Sequence, residues 1–334
     1  MRQFILSVLL LAIASPAVAQ WVKQTVNTTA AFRGLSVVNE KVVWASGTGG
    51  TVIRTIDGGK TWGVIMVPGA EKLDFRDIEA FDAKTAFVLS IGDGETSRIY
   101  KTIDGGKNWT LQFQNTNAKA FFDAIACWDR ANCIAMSDPV DGHYVLISTA
   151  DGGANWKPIV TNNMPAAKDG EAAFAASGTC LITQGVSNAF IVSGGMDARV
   201  FRSIDRGQTW TVANTPIVKG TAGSGIFSIA MRNARHGIIV GGDYENPNRE
   251  SRTWATTSDG GLTWMVGNQW FGYRSGVTFI GDKILVVGPT GSNSTTNYAL
   301  VWKDHGAESL NAVAAKGPRA VWAVGAAGVV VKMK

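Results

Sequence analysis

Histidine, cysteine and proline are scarce in this sequence, and charge is sparse. The 334 residues include three histidines, three cysteines and nine prolines, and charged residues make up only 17%. The histidines, His143, His236 and His305, lie far apart, and no cysteine has the spacing of a zinc or haem site. The net charge of +5 is spread along the chain without a Lys/Arg-rich block. We therefore expect no cofactor, no metal site and no nucleic-acid partner.

Long apolar segments are also missing, except at the N-terminus. Arg2 precedes an apolar stretch over residues 4–13, which is too short to span a bilayer. The small residues Ala17-Val18-Ala19 are typical of a cleavage site. This pattern predicts a signal peptide over residues 1–19, a single domain over residues 20–334, and export to the periplasm or the medium. Because no second long apolar stretch follows, we expect no membrane-spanning segment.

The few cysteines suit an oxidising compartment without forming a disulfide framework. Cys127 and Cys133 flank a turn-like segment over residues 128–132. Their spacing places both thiols at the base of a hairpin, so we predict a disulfide between them. Cys180 is then left unpaired.

Glycine and tryptophan, by contrast, are abundant, with 39 and 12 residues. This combination is typical of short strands joined by tight turns. One motif, Thr-Ile-Asp-Gly-Gly-Lys-Thr-Trp, recurs in five related copies, and a worn copy follows at residues 302–306. The five copies lie at residues 55–62, 102–109, 149–156, 203–210 and 257–264. Successive motif aspartates are 47, 47, 54, 54 and 45 residues apart, a period that predicts the blades of an all-β propeller.

The motif has the chemistry of a hairpin turn. Its glycines tolerate positive φ, and its aspartate accepts hydrogen bonds from turn amides that the sheet leaves unpaired. Its tryptophan opens the next strand and buries its ring between neighbouring sheets. One carboxylate per turn is too sparse for a calcium site or a catalytic pair, so we assign these residues a structural role. They are Asp57, Trp62, Asp104, Trp109, Asp151, Trp156, Asp205, Trp210, Asp259 and Trp264.

The strand pattern predicts seven four-stranded blades. Inner strands are expected to start near residues 32, 75, 122, 172, 226 and 277. The last set, over residues 310–333, has three strands, so we expect the N-terminal segment 21–26 to supply the fourth strand and close the ring. Seven blades of 45 residues account for the 315 residues after the signal peptide. Few residues separate Asp304 from Leu310, so the sixth blade is the least complete and six blades remain the alternative.

The repeated Ser/Thr-x-Asp-x-Gly-x-Thr-Trp unit resembles the Asp-box, or BNR, repeat of sialidase-like propellers. Together with Phe32-Arg33-Gly34-Leu35 and Val43-Trp44-Ala45-Ser46-Gly47, it resembles the YCF48-related family of photosystem II assembly factors. The likeness is greater still to the exported bacterial relatives of that family, and it covers nearly all of residues 20–334. It implies a non-catalytic, monomeric scaffold, assembly or ligand-binding protein. Its partner would be a protein or a small anionic or carbohydrate ligand.

Arginines at three predicted inner-strand starts are the ligand-binding candidates. In a propeller these strands begin at one face, around the central channel, and the motif turns lie at the opposite face. Arg33, Arg76 and Arg274 come from different blades and would converge on one carboxylate or phosphate. A guanidinium is a planar donor fork that suits such a group. Pairing of these arginines with neighbouring acids and loop backbone is the alternative.

The sialidase resemblance implies a second function, hydrolysis of a glycoside of an anionic sugar. Sialidases use an arginine triad, a Tyr/Glu pair and an aspartic acid/base. The candidates for the last two roles are Tyr273 or Tyr244 with Glu171, and Asp123 or Asp138. A glycosidase needs two carboxyl groups roughly 5–10 Å apart on one pocket wall. We rank the non-catalytic interpretation first, because Arg33 is followed by Gly34-Leu35 and not by the Ile-Pro of sialidases.

Overall fold

Each full copy of the motif forms the turn between the third and fourth strands of one antiparallel sheet. This arrangement is seen in a computed structural model, which describes residues 21–161, 163–296 and 301–334. The strands of these residues make seven sheets. Each inner strand contacts the inner strand of the next sheet, and the last contacts the first. The seven-bladed propeller is therefore confirmed, and the six-blade alternative is excluded.

The blades are numbered here in chain order, with their strands given from the channel outwards. Blade 1 has Phe32–Val37, Val43–Gly47, Thr51–Thr55 and Gly63–Met66; blade 2 has Phe75–Ala80, Ala86–Ser90, Arg98–Thr102 and Thr110–Gln114; blade 3 has Phe122–Cys127, Cys133–Val140, His143–Thr149 and Lys157–Pro158. Blade 4 has Leu181–Gln184, Asn188–Val192, Arg199–Ser203 and Thr211–Asn214; blade 5 has Ser224–Met231, Gly237–Asp243, Trp254–Thr257 and Met265–Val266. Blade 6 has Gly276–Ile280, Lys283–Gly288, Gly291–Thr296 and Lys303–Asp304; blade 7 has Ala312–Ala315, Val321–Val324, Val330–Met333 and Trp21–Lys23.

The first and last described strands close the ring in blade 7, as the sequence predicted. Trp21–Lys23 pairs antiparallel with Val330–Met333, with Trp21 opposite Met333. The Trp21 ring is buried, and its Nε1 donates to Ser292 Oγ at 3.0 Å in blade 6. The first strand thus covers the outer edge of the last blade and also ties it to the blade before. The predicted signal peptide, residues 1–19, lies outside the described residues.

Two sequence expectations about individual elements were wrong. The inner strand of blade 4 starts at Leu181 and not near residue 172, because Glu171–Ala172 pairs with Gly194–Gly195 beside blade 5. The worn motif copy was also misaligned. Trp302 directly precedes the fourth strand of blade 6 and packs against Trp254 at 5.3 Å, so it takes the place of a motif tryptophan.

The motif turns form the hydrogen-bond network expected of them. In blade 1, Thr61 donates from its backbone N to Asp57 Oδ1 at 2.9 Å and from Oγ1 to Asp57 Oδ2 at 2.6 Å. Gly59 donates from its N to Thr55 Oγ1 at 2.9 Å. The two hydrogen bonds from Thr61 hold the pKa of Asp57 down at about 2. Gly59 has φ +91°, and an added Cβ would lie 2.3 Å from the Trp322 ring, so this position requires glycine.

The motif tryptophans pack against the preceding blade. The Trp62 ring of blade 1 packs edge to face against Trp322 of blade 7, with 5.5 Å between the ring centroids. The Trp156 ring of blade 3 packs in the same way against Phe87 of blade 2, with 6.2 Å between centroids. These contacts join neighbouring sheets through apolar area and aromatic pairing, which stabilise the ring without any long helix. No helix within the described ranges is long and apolar enough to cross a membrane.

Two of the three cysteines lie where blade 3 turns between its first two strands. Cys127 and Cys133 are opposite each other in the ladder, and their sulfur atoms are bonded at 2.01 Å. Cys180 is buried with a free thiol. This arrangement is the pairing inferred from the six-residue spacing.

Candidate binding pocket at the channel mouth

A repeated irregularity in the inner strands points side chains toward the channel mouth. In blades 1, 2, 3 and 5 the ladder with the second strand skips one residue near its start. The skipped residues are Arg33, Arg76, Asp123 and Phe227. A bulge of this kind turns a side chain away from its place in the regular alternation. The residue before each of them is apolar and buried. Three of the skipped residues, Arg33, Arg76 and Phe227, line the pocket at the mouth, whereas Asp123 is buried.

A segment of the chain lies across the mouth and binds to arginines of two other blades. Residues 173–177, called the floor segment here, precede the inner strand of blade 4. Arg33 of blade 1 donates from Nη1 to the carbonyl oxygen of Ala176 at 3.0 Å, and Arg76 of blade 2 donates from Nη1 to that of Ala175 at 3.3 Å. The carbonyls are neutral, so these hydrogen bonds position both guanidinium groups without neutralising them.

Blades 3, 5 and 6 also hold the floor segment. Ala173 donates from its backbone N to Asp138 Oδ1 at 2.7 Å, and Ser177 donates from Oγ to the carbonyl oxygen of Ser275 at 2.7 Å. The Phe174 ring stacks on the Phe227 ring, with 4.0 Å between the ring centroids. Five blades therefore fix the segment in place. We conclude that it closes the upper end of the channel as a rigid part of the fold.

A pocket of about 360 Å³ lies above the floor segment. Its lining residues are Arg33, Arg76, Phe174, Ala175, Ala176, Phe227, Tyr244, Tyr273, Pro289 and Asn311. Aromatic rings form one side of the pocket. The Tyr244 ring lies edge to face against the rings of Phe174 and Phe227, with 6.2 Å between centroids in each pair. The centroid of the Tyr273 ring lies 4.6 Å from that of Phe227. Tyr244 is half exposed at the rim. The pocket thus has an aromatic side from the floor segment and blades 5 and 6, and a cationic side from blades 1 and 2.

The cationic side carries a positive charge that the protein does not fully balance. Arg76 Nε pairs with Asp74 Oδ2 at 2.8 Å. Among the described residues, Arg33 has no carboxylate within ion-pair distance. Burial lowers the pKa of Arg33, and the nearby charge of Arg76 lowers it further. A partly buried guanidinium beside a second one is a ready site for an anion.

The third candidate arginine does not join them. Arg274 points between the second and third strands of blade 6, where its Nε donates to Asn293 Oδ1 at 3.1 Å and its Nη1 to Thr290 Oγ1 at 2.6 Å. Burial lowers the pKa of Arg274 to about 10. Its inner strand pairs from Gly276 onwards without a register shift, so no bulge turns Arg274 toward the pocket. The structure brings together two of the three arginines.

The candidate acids lie outside the pocket lining. The side chain of Glu171 is fully buried. Its Oε1 accepts a hydrogen bond from Arg199 Nε at 2.9 Å and another from Ser193 Oγ at 2.5 Å. Asp123 is 1% exposed, and its Oδ2 has no hydrogen-bond partner among the residues that the structure describes. Burial, followed by the charge of Asp138, raises the pKa of Asp123. Asp138 itself is bound to the floor segment. Of the residues named for catalysis, only Tyr244 and Tyr273 line the pocket.

Phe174, Phe227 and Asn311 line the pocket, but sequence reasoning did not single them out. A signal existed for Phe227, which follows Ile226 as Arg33 follows Phe32, so alignment of the inner strands would have found it. Phe174 had no such signal, because the floor segment has no counterpart in the other repeats.

The raised pKa of Asp138 predicts a pH-dependent stability. Burial raises the pKa of Asp138 to about 6. Between roughly pH 4 and pH 6 the folded chain therefore keeps a proton that the unfolded chain has released. The contribution of this group to stability is largest in acid and falls as the pH rises to about 6. Asp138→Asn keeps Oδ1 as an acceptor for Ala173 N but does not titrate, so it should lose this dependence.

Melting temperatures between pH 4 and pH 8 check the prediction. Relative to the wild type, Asp138→Asn should gain stability as the pH rises to about 6 and hold that gain above it. Asp169→Asn, which changes an exposed carboxylate, is the control. Parallel melting curves for wild type and Asp138→Asn would show that the pKa is not raised.

Comparison with known proteins gives the family. The family model described as "Photosynthesis system II assembly factor YCF48" matches residues 13–183, which is half of the chain. A solved structure titled "YCF48 bound to D1 peptide" is 16% identical with a TM-score of 0.67, and the match covers 97% of this chain and 98% of that one. YCF48 from Cyanidioschyzon merolae is 15% identical with a TM-score of 0.70, covering 94% and 99%. U3-55K, at 10% identity and a TM-score of 0.63, covers 95% and 99% and shares the fold. No curated protein matches the sequence. The chain belongs to the YCF48 family.

Proposed function

We propose that this chain is an exported, non-catalytic scaffold that holds a segment of a protein partner at its channel mouth. The observation that carries the proposal is the floor segment. It leaves Arg33 and Arg76 in the pocket, while Asp123, Asp138 and Glu171 are absent from the lining. A glycosidase needs a pair of carboxyl groups in contact with its substrate. A pocket that presents cations without such a pair binds an anionic group and leaves it intact.

The relatives support a binding role. One solved YCF48 is described as bound to D1 peptide, so a propeller of this fold holds a peptide. We extend peptide binding to this chain, but we do not extend the D1 partner. Export is supported by the apolar segment and small residues within residues 1–19 and by the disulfide of Cys127 and Cys133. Cell fractionation tests it: recovery with cytosolic markers would contradict export.

Two measurements on the full chain test the scaffold proposal. A random peptide library with free C-termini is panned on the immobilised protein, and aryl glycosides and sialosides are offered as substrates. We expect peptides to be retained, and we expect hydrolysis no faster than that of an Asp123→Asn/Glu171→Gln variant. Retention should fall about tenfold or more in Arg33→Gln/Arg76→Gln, the range for lost charge-assisted hydrogen bonds.

The matched control is Arg319→Gln. Arg319 is exposed and pairs with Glu40, and it lies in the hairpin between the first two strands of blade 7, away from the pocket. Arg319→Gln removes one positive charge, as each of the two pocket substitutions does, and should leave retention unchanged. Hydrolysis by the wild type that is faster than that of Asp123→Asn/Glu171→Gln would overturn the non-catalytic assignment. If Arg33→Gln/Arg76→Gln retained peptides as well as Arg319→Gln does, the peptide-binding site would not lie at the channel mouth.

A further inference from the structure

The two-sided lining of the pocket points to a more specific ligand. Resting on the proposed scaffold role, we propose that the pocket takes the C-terminal residue of a peptide. Its carboxylate would bind Arg33 and Arg76, and its large apolar or aromatic side chain would lie against the rings of Phe174, Phe227 and Tyr244. Three observations support this ligand: the charge of the pocket, its size, and the floor that closes it.

The charge of the pocket suits one negative charge. Arg33 and Arg76 bring two cations, and Asp74 balances one of them. The remaining positive charge matches a carboxylate. Each guanidinium has five N–H donors. Arg33 is hydrogen-bonded through Nη1 to Ala176, and Arg76 through Nε and Nη1 to Asp74 and Ala175. Donors therefore remain on both groups for the two oxygens of one carboxylate.

The size of the pocket suits one residue. Its volume of about 360 Å³ lies near the lower end of the range for ligand pockets, about 300–1,000 Å³, so it suits a single large residue better than a longer segment. The aromatic and cationic sides line this single small space, so the ligand must offer an apolar group and an anion only a few ångströms apart. A C-terminal residue meets that requirement, because its side chain and its carboxylate are attached to the same carbon.

The floor segment favours a chain end over the middle of a chain. Residues 173–177 are held by five blades, so a peptide cannot continue down the channel. A chain passing through the pocket would have to enter and leave by the same mouth with its backbone folded back. A chain end enters once. Tyr244, half exposed beside Phe174 and Phe227, lies at the rim where the preceding residues of the peptide would emerge.

Three short peptides test this on the unaltered protein. The probes are acetyl-Gly-Gly-Phe with a free carboxylate, the same peptide as its C-terminal amide, and acetyl-Gly-Gly-Ala with a free carboxylate. Titration calorimetry should show the acid binding about tenfold or more tighter than the amide, since the amide loses the ionic hydrogen bonds. The phenylalanine acid should bind at least about tenfold tighter than the alanine acid, because alanine leaves the aromatic side uncovered.

Variants assign the two preferences to the two sides of the pocket. Arg33→Gln should reduce the ratio of acid to amide affinity and leave the preference for phenylalanine. Tyr244→Ala changes a half-exposed ring, so the fold is retained, and it should reduce the phenylalanine preference and keep the acid preference. Arg319→Gln should change neither ratio.

The outcomes separate this inference from the scaffold proposal. Equal binding of acid and amide would overturn the terminal-carboxylate assignment. If library peptides were still retained through Arg33 and Arg76 by internal acidic residues, the scaffold role would stand and the inference would fall. Equal binding of the phenylalanine and alanine acids would overturn the role of the aromatic side. Glycoside hydrolysis without peptide retention would overturn both proposals.

Discussion

Replacement of Glu171 by alanine is expected to lower the free energy of unfolding by about 3–5 kcal/mol, because it strips a buried cation of its partner. The guanidinium of Arg199 is almost fully buried and bonds both oxygens of Glu171. It also donates from Nη2 to the Ala166 carbonyl at 2.8 Å. The pair therefore anchors the chain that leads into the floor segment. Urea denaturation measures the loss.

Two further variants make this result interpretable. Glu308→Ala removes a carboxylate whose partner, Lys23, is 70% exposed, and it should cost at most about 1 kcal/mol. Glu171→Leu/Arg199→Met removes both charges and should recover most of the stability lost in Glu171→Ala. A Glu171→Ala protein with unchanged stability but lost ligand binding would instead give Glu171 a functional role.

Removal of the closing strand, residues 20–26, is the second change with a large expected effect. Loss of the buried Trp21 side chain alone should cost about 3–5 kcal/mol. The strand Val330–Met333 would also be left with an unpaired edge, which promotes association between molecules. We expect a lower melting temperature and concentration-dependent oligomers, measured by calorimetry and by size-exclusion chromatography with light scattering.

The single variant Trp21→Ala separates the two contributions. It removes the ring and its hydrogen bond to Ser292 but keeps the backbone pairing with blade 7. It should therefore be destabilised and remain monomeric. A truncated protein that stays monomeric with full thermal stability would show that the N-terminal strand is dispensable for closure.

The blades could be predicted from the sequence because the information is local. Each motif aspartate and tryptophan acts within its own turn and on the adjacent blade, so the period of Asp57, Asp104 and Asp151 specifies the repeat directly. The strand starts at Arg33 and Arg76 followed from the same period. Ring symmetry then placed both residues at one end of the channel, where the structure has them.

The rest of the pocket depends on contacts that no repeat encodes. Residues 163–180 lie outside the repeat period, and the position of the floor segment depends on partners 35 to 143 residues away in sequence. Whether an arginine faces the channel depends on a one-residue register shift, present at Arg33 and absent at Arg274. Glu171 was a candidate catalytic acid by sequence, but it forms a buried ion pair with Arg199, a contact between residues 28 positions apart that the sequence does not show.

Ring closure also has a consequence for the order in which the protein is made. Blades 1 to 6 each take their four strands from one contiguous stretch, but blade 7 needs both Trp21–Lys23 and Val330–Met333, which are far apart in sequence. During synthesis the strand Trp21–Lys23 must remain unpaired until residues 330–333 have emerged. Pairing these two strands closes a loop of about 300 residues, and closing a loop of that length carries an entropy cost. Before that point the folded blades present an exposed edge, at which the chain is vulnerable to aggregation and proteolysis.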